Sequence, residues 1–375
     1  MQRDFFQGKM RFSRTMVYAG AVMSLLIGAA FATGQEVMMY FVAWGGDMFL
    51  VIAIVLVILV WLSLSFAEAG ARYAFKRNEE IFTFFCGKYF GKLYDYFTAI
   101  FSYACYLFMI GGVGSTLKEQ FDVPGIIGIV GLSIVVILTV SLGLRRITEI
   151  LGFLGTVLLI VIMLISTVTL FPHIEQLPSN FEKLCIIGPD HFGIEKSIAP
   201  NAVINALNYT GTVVIWFFTF ITMLAVQSDR KVEVKVGCTA GTILFILALF
   251  VVAFALISIL PLVGTSDVPS VVMAAALWQP LAAVFAVIVV CGSFTTAVPL
   301  LWTSVSRFAE DGSAKARILS AALGVVGTVI AVCVPYKTLI NYIMNIGGMF
   351  AYGVFAFVLW ADIRMIMDSW RNRRT

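Results

Sequence analysis

The chain carries, at residues 25–40, the stretch Leu25-Leu26-Ile27-Gly28-Ala29-Ala30-Phe31-Ala32-Thr33-Gly34-Gln35-Glu36-Val37-Met38-Met39-Tyr40. This stretch interrupts, with polar residues and glycines, an apolar segment long enough to cross a membrane. A charge at bilayer depth costs about 2.5–3.5 kcal/mol on insertion scales. Glycines there weaken the helix and let the backbone face something other than lipid. The interruption therefore predicts a binding site.

The composition of the whole chain predicts a polytopic membrane protein. Of its 375 residues, 61% are hydrophobic and 12% are charged, against about 25% charged residues in soluble domains. The net charge of +4 comes from cations scattered over many loops, which argues against a nucleic-acid partner. The two histidines flank a single loop, and no CxxC spacing occurs. An enzyme is therefore disfavoured, and no organic cofactor is expected.

Ten apolar segments predict ten transmembrane helices in an all-α fold. They lie at about 16–40, 47–75, 92–116, 124–143, 149–171, 203–227, 236–262, 279–308, 316–334 and 338–363. A loop at 172–202, which contains Pro178, Pro189 and Pro200, separates residues 1–171 from residues 203–363, and residues 364–375 form a tail. With five spans in each half, the second half enters the membrane from the opposite side. The sequence thus predicts a five-plus-five inverted repeat, a recurrent transporter plan.

The basic residues predict the orientation of the chain. Of the 25 lysines and arginines, only Lys118, Lys183, Lys196 and Lys337 fall on the side of the long loop. The others fall before residue 15, between residues 72 and 92, at 145–146, at 230–235, at 307–317 and after 363. By the positive-inside rule, both termini are expected in the cytoplasm. The predicted location is the bacterial cytoplasmic (inner) membrane.

The inverted plan predicts breaks at corresponding positions of the first and sixth spans, around a site near the middle of the bilayer. The sixth span holds Asn205, Asn208, Tyr209, Thr210, Gly211 and Thr212 amid apolar residues. Predicted solute-binding residues are Ala29, Ala30, Phe31, Ala32, Gly34, Glu36, Asn208, Tyr209 and Gly211, with Tyr103 and Tyr106 of the third span as an aromatic lid. In the alternative, the small residues form a helix-packing seam and the tyrosines pack in the bundle. Gln35 and Glu36 argue against the seam, because packing does not need a carboxylate.

The eighth span contains hydroxyl groups suited to a hard monovalent cation. Thr295 and Thr296 follow Gly292 and Ser293, and Pro299 frees the carbonyl of Thr295. Alternatively, such threonines bond to the carbonyls of their own helix four residues back.

The string from Gly28 to Glu36 resembles the first span of the amino acid–polyamine–cation (APC) superfamily, whose members have the LeuT fold. More narrowly, it resembles the YkvI-like bacterial membrane proteins, as does Gly111-Gly112-Val113-Gly114-Ser115-Thr116 in the third span. The resemblance implies a sodium site formed by the carbonyls of Gly28, Phe31 and Gly292 with the hydroxyls of Thr295 and Thr296. It also implies a second sodium site at Ala30 and Gln35.

These observations predict a secondary transporter that moves a small amine or amino-acid-like solute, coupled to sodium, by alternating access. Two alternatives stay open. One is a proton-coupled carrier that uses Glu36, and the other is a solute receptor of the same fold that does not transport. The expected partners are a small solute and the lipid bilayer, and no oligomeric state follows from the sequence.

Overall fold

The computed structural model describes residues 11–73, 75, 77–142, 148–228, 230–310 and 312–371. Within these residues the chain is helical and contains no β-strand. The α-helices, in chain order, are α1 (Phe12–Leu26), α2 (Ala29–Ala32), α3 (Gln35–Tyr40), α4 (Met48–Arg72), α5 (Asn78–Phe121), α6 (Gly125–Leu142), α7 (Thr148–Leu170), α8 (Gln176–Ile187), α9 (Ala202–Val226), α10 (Lys231–Ser258), α11 (Leu260–Val263), α12 (Pro269–Leu277), α13 (Gln279–Ser306), α14 (Ala314–Cys333), α15 (Tyr336–Phe350) and α16 (Tyr352–Arg371).

The long apolar helices make the chain a multi-pass membrane protein. Seven helical stretches of the described residues are long and apolar enough to cross a membrane. They contain α4, α5, α9, α10, α13, α14 and the pair α15–α16. The other three predicted spans coincide with α1–α3, α6 and α7. The count of ten spans stays a prediction, and so does the orientation, since part of the basic residues lies in segments 1–10, 143–147 and 372–375, outside the described residues.

The first span is broken, as predicted. Helix α1 ends at Leu26, and Ile27 and Gly28 are not helical. A second interruption lies at Gly34, whose φ of +79° is in the left-handed region. Glycine adopts this region without the penalty that a Cβ would bring. Two short helical segments, α2 and α3, therefore replace one continuous helix.

The sixth span is not broken, and that prediction was wrong. Helix α9 runs without interruption from Ala202 to Val226. Its hydroxyl groups bond to its own carbonyls: Thr210 Oγ1 donates to the oxygen of Ala206 at 2.8 Å, and Thr212 Oγ1 to that of Asn208 at 3.0 Å. Polar residues in this span thus coexist with regular backbone hydrogen bonding.

The helix pairs follow the arrangement that an inverted repeat would produce. The broken first span packs along α10, the seventh span, through α1. Likewise α9, the sixth span, packs along α4, the second span. The first helix of each half thus packs against the second helix of the other half. Helices α5 and α13 pack against each other, and both contact α6 and α14. The repeat itself stays a prediction. The arrangement leaves α1–α3 and α9 facing α5 and α13.

The long loop is itself partly helical. It contains α8 and a 3₁₀ turn at Pro189–Phe192. The side-chain amide of Asn180 donates to the carbonyls of Ile257 and Ser258, both at 3.0 Å. These bonds tie α8 to the end of α10.

The C-terminal tail is also largely helical. Helix α16 continues to Arg371, so most of the predicted tail is helix.

Candidate functional site

A cavity of about 820 Å³ lies among α1–α3, α5, α9 and α13. Its inner end contains Glu36, beside the break of the first span. Its mouth contains Arg77, Glu79, Asp95 and Arg307, in the loops and helix ends rich in lysine and arginine. The cavity therefore joins the broken segment to the surface on that side of the molecule.

Glu36 is the buried carboxylate at the inner end of the cavity. The residue is only 8% exposed, and Tyr209 Oη donates to its Oε1 at 2.8 Å. The ring of Tyr209 packs against those of Tyr40 and Phe41, with centroids 5.8 and 4.8 Å away. Helix α9 thus positions the carboxylate through one hydrogen bond and an aromatic contact.

Beyond Glu36, the protein is closed by hydrogen bonds between side chains that we term the amide cluster. Its members are Tyr40 on α3, Asn205 and Asn208 on α9, and Asn341 and Asn345 on α15. Asn345 Nδ2 donates to Tyr40 Oη at 2.7 Å, and Asn208 Nδ2 donates to Asn345 Oδ1 at 2.8 Å. Asn205 Nδ2 donates to the carbonyl of Tyr40 at 2.7 Å.

The amide cluster also contacts the long loop. Asn341 Oδ1 accepts from the backbone N–H of Ile198 at 2.9 Å, and Asn205 Oδ1 accepts from Ser197 Oγ at 2.5 Å. All five members are at most 3% exposed. The amide cluster therefore joins three spans and the loop on the side opposite the mouth of the cavity.

The second interruption of the first span is held by polar contacts around Gly34. Ser270 N donates to the carbonyl of Thr33 at 3.0 Å, and a Cβ added to Gly34 would lie 2.5 Å from Ser270 Oγ. Thr33 Oγ1 donates to the carbonyl of Ala30 at 2.8 Å and lies 3.1 Å from Tyr336 Oη. This turn is fixed by its neighbours as well as by its own glycine.

The small residues before this turn differ in what they face. Gly28 and Ala30 line the cavity, and a Cβ added to Gly28 would meet no atom within 4 Å. Gly28 therefore does not serve as a close-packing position. Phe31 and Ala32 are fully buried, and the ring of Phe31 lies 5.5 Å from that of Phe245. Nothing is described of the side chain of Ala29.

The structure does not bring the two predicted lid tyrosines to the cavity. Tyr103 Oη donates to the carbonyl of Leu323 at 2.8 Å, and Tyr106 Oη lies 2.7 Å from Ser133 Oγ. Both hydroxyls thus face α14 and α6. The cavity wall of α5 consists of other residues, which are Glu79, Phe82, Asp95, Thr98, Ala99, Ser102, Phe108 and Met109.

Two predicted residues of α9 make helix contacts. A Cβ on Gly211 would lie 2.4 Å from the carbonyl oxygen of Gly348, so the backbones of α9 and α15 touch there. Asn208, besides its bond to Asn345, accepts from Tyr352 Oη. The third predicted residue of α9, Tyr209, donates its hydrogen bond to Glu36.

The predicted sodium ligands lie on elements that touch. Helix α2 contacts α13, which carries Gly292, Thr295 and Thr296. Thr295 Oγ1 and Thr296 Oγ1 both donate to the carbonyl of Gly292, at 2.8 and 3.0 Å. Their oxygens keep lone pairs that could accept a cation. The described residues contain no group of three or more histidine, cysteine, aspartate or glutamate side chains suited to a metal ion.

The second predicted sodium site is at Ala30 and Gln35. Gln35 is 1% exposed, and its side-chain oxygen Oε1 is buried without a hydrogen-bond partner among the described residues. An amide oxygen in this state is free to accept a donor or a cation. Ala30 borders the cavity.

Two polar residues of the cavity wall were not predicted from the sequence to be site residues. Ser102 and Trp216 both line the cavity, and Ser102 Oγ and Trp216 Nε1 are buried without a partner among the described residues. A serine within an apolar helix gives a weak signal. The tryptophan lies seven residues after Tyr209, which is two helical turns on the same face, and that spacing is the one signal available for it.

No protein-family model matches the chain. No curated protein matches its sequence either. Solved structures of membrane transporters, however, match its fold. A single-substitution mutant of a manganese transporter from Eremococcus coleocola aligns over 96% of this chain and 80% of its own, with a TM-score of 0.54 and 14% identity.

Mhp1, a nucleobase-cation-symport-1 family transporter, gives a second alignment. Its closed conformation with bromovinylhydantoin bound aligns over 89% of this chain and 76% of its own, with a TM-score of 0.59 and 15% identity. The chain has the LeuT fold. At these identities the likeness is one of fold alone, so the narrower resemblance to the APC superfamily and to the YkvI-like proteins stays a prediction.

Proposed function

We propose that the chain is a secondary transporter that moves a small amine or amino-acid-like solute by alternating access, coupled to sodium. The observation that carries the proposal is the break between Leu26 and Gln35, which borders a cavity with the buried carboxylate of Glu36 at its inner end. Interrupted helices in transporters of this plan border the solute and ion sites. The fold shared with known transporters supports the same reading.

The cavity supports an alternating-access cycle because it is open on one side and closed on the other. Solute would reach Glu36 through the mouth at Arg77 and Arg307. Opening to the other side would require the amide cluster to separate, since it joins α3, α9 and α15 beyond Glu36. Neutral hydrogen bonds contribute about 0.5–1.5 kcal/mol each, so a few of them can be exchanged for contacts in another conformation.

Sodium coupling is supported by the contact between α2 and α13. A cation there would take backbone carbonyls of the first span and the hydroxyls of Thr295 and Thr296, all of them oxygens. One charge that crosses 100 mV is worth about 2.3 kcal/mol, which is enough to concentrate a solute about fiftyfold.

Proton coupling through Glu36 is the second candidate, and a specific observation favours it. Glu36 is a buried carboxyl group that lines the cavity and could exchange a proton with it.

The test is solute uptake by the purified chain in proteoliposomes, under an imposed sodium gradient or an imposed pH gradient. With sodium coupling, a sodium gradient drives uptake, and the Thr295→Ala/Thr296→Ala double variant loses this component while it still binds the solute. With proton coupling, a pH gradient drives uptake, and the double threonine variant keeps it. Thr222→Ala is the matched control, because Thr222 also donates to its own helix, at 2.7 Å, but does not line the cavity.

A chain that binds solutes without moving them would contradict transport. Retained binding in detergent, together with no gradient-driven flux of any solute in liposomes, would favour the receptor of the same fold. Unchanged sodium-driven uptake in the double threonine variant would refute the sodium site.

A further inference from the structure

We infer that the solute is an apolar amine without a carboxylate, with its ammonium group at Glu36 and its body against the aromatic wall of the cavity. This inference rests on the proposed function and narrows it, because an amino acid would carry both charges. Three features of the cavity support it, namely the distribution of charge, the use of backbone donors at the break, and the composition of the walls.

The charges of the cavity are separated along its length. Among the described residues that line it, the cations are Arg77 and Arg307, both at the mouth. Arg307 already pairs with Asp95 and lies over the ring of Tyr96, 4.6 Å from its centroid. Asp95 and Met109 both line the wall of α5, and their spacing of fourteen residues corresponds to about 21 Å.

Met109 marks the end of this wall that lies near Glu36. Gly112, one turn further along α5, packs against Tyr336, which in turn lies 3.1 Å from Thr33 in the broken span. The mouth cations are therefore about 20 Å from the inner end along the helix. The inner end holds a carboxylate without a cationic side chain among the described lining residues, so an ammonium group complements it, whereas the carboxylate of a zwitterion would find no cationic side chain there. Burying a charge without such a partner is strongly unfavourable.

Three backbone N–H groups at the break are already engaged and do not make up for the missing cation. Ala32 N donates to the carbonyl of Gly28 at 3.1 Å, and Gly34 N donates to that of Phe31 at 3.0 Å. Gln35 N donates to Thr33 Oγ1 at 3.3 Å. These three donors are already used within the first span, and a solute carboxylate would have to displace an existing bond to reach any of them.

The walls of the cavity suit an apolar body. They include Phe108, Trp216, Phe220, Leu300, Trp302 and Met344. Aromatic faces attract a cation that lies within about 6 Å of the ring centroid, and they pack against alkyl or aryl groups. A wall of this kind is typical of sites that bind a largely apolar ligand and orient it by a few polar groups. Here the orienting group is Glu36, held by Tyr209.

The test compares amines with the amino acids from which they differ by one carboxyl group. Phenethylamine is paired with phenylalanine, and pentylamine with norleucine. Binding to the purified full chain in lipid nanodiscs is measured by calorimetry. We expect each amine to bind at least tenfold more tightly than its amino acid, and Glu36→Gln to weaken amine binding at least tenfold.

Glu182→Gln is the matched control, because it removes an exposed carboxylate on α8, outside the cavity lining, and we expect it to leave amine binding unchanged. Equal binding of amine and amino acid, absence of binding by both amines, or amine binding unaffected in Glu36→Gln would each overturn the inference. Gradient-driven uptake of the amino acids would overturn the inference that the solute lacks a carboxylate, but it would support the proposed transport function. Tight amine binding without any flux would keep the amine site and refute transport.

Discussion

Replacement of Gly211 by alanine tests whether glycine is required there for the packing of α9 against α15 or for contact with the solute. A Cβ at Gly211 would lie 2.4 Å from the carbonyl oxygen of Gly348, about 1 Å closer than an ordinary contact. The obstacle is backbone on both sides, so α9 and α15 must move apart. Overpacking of this kind costs about 1–3 kcal/mol, and the rigid neighbour places the cost near the upper value. The better helix propensity of alanine returns about 0.5–1 kcal/mol, which leaves a net destabilisation of about 2 kcal/mol.

The assay is unfolding of the purified chain in detergent, by heat or denaturant, with Gly131→Ala as the matched control. A Cβ on Gly131 would meet no atom within 4 Å, and Gly131 lies within α6. The control should therefore gain about 0.5–1 kcal/mol from propensity alone. Gly348→Ala should behave like Gly211→Ala, since its Cβ would lie 2.1 Å from the carbonyl of Asn208.

The opposite result would support the sequence-based prediction that Gly211 contacts the solute. Suppose that Gly211→Ala is as stable to unfolding as Gly131→Ala and yet changes the affinity for solute. Glycine is then not required at this position by the close approach of α9 and α15. Loss of stability with unchanged solute affinity in the remaining folded protein would confirm a packing role.

Three further changes test the site itself. Gly34→Ala should lower the unfolding midpoint and reduce solute binding, because φ is +79° and the new Cβ would lie 2.5 Å from Ser270 Oγ; a fully stable and active variant would contradict this. Tyr209→Phe should destabilise the fold by about 1.5–3 kcal/mol, the value of a hydrogen bond to a charged group, and a double-mutant cycle with Glu36→Gln should show coupling; additive effects would refute the bond. Asn345→Ala should speed amide hydrogen exchange at residues 36–41, because the amide cluster loses its central donor; unchanged exchange would show that other contacts hold α3.

Local chemistry explains why the break of the first span was predictable. Gly34 adopts the left-handed region, which interrupts the helical backbone at that residue. The carboxylate of Glu36 needs a partner wherever it is buried, so a charged residue in an apolar span indicates a site before any fold is known. The class of the protein follows from a local property as well, the length of its apolar runs.

The sixth span shows where such reasoning fails. Asn208, Thr210 and Gly211 resemble a break in the sequence, yet each is satisfied inside a continuous helix. The hydroxyl of Thr210 bonds to its own helix, the amide of Asn208 bonds to α15, and the glycine admits the backbone of Gly348. The local sequence around a polar residue does not show whether its hydrogen-bond partner lies in a distant span.

The sequence by itself determined the class of the protein, the positions of most spans, the interruption at Gly28–Gly34 and the presence of Glu36 within it, because hydropathy and backbone preference act over a few residues. Only the tertiary structure decided that Tyr209 holds the carboxylate, that Tyr103 and Tyr106 face away from the cavity, and that the amide cluster lies beyond Glu36. In a span that is apolar all round, nothing local indicates which face meets lipid, helix or cavity. That choice depends on how the helices pack, and packing joins residues up to 305 positions apart, as in the bond between Asn345 and Tyr40.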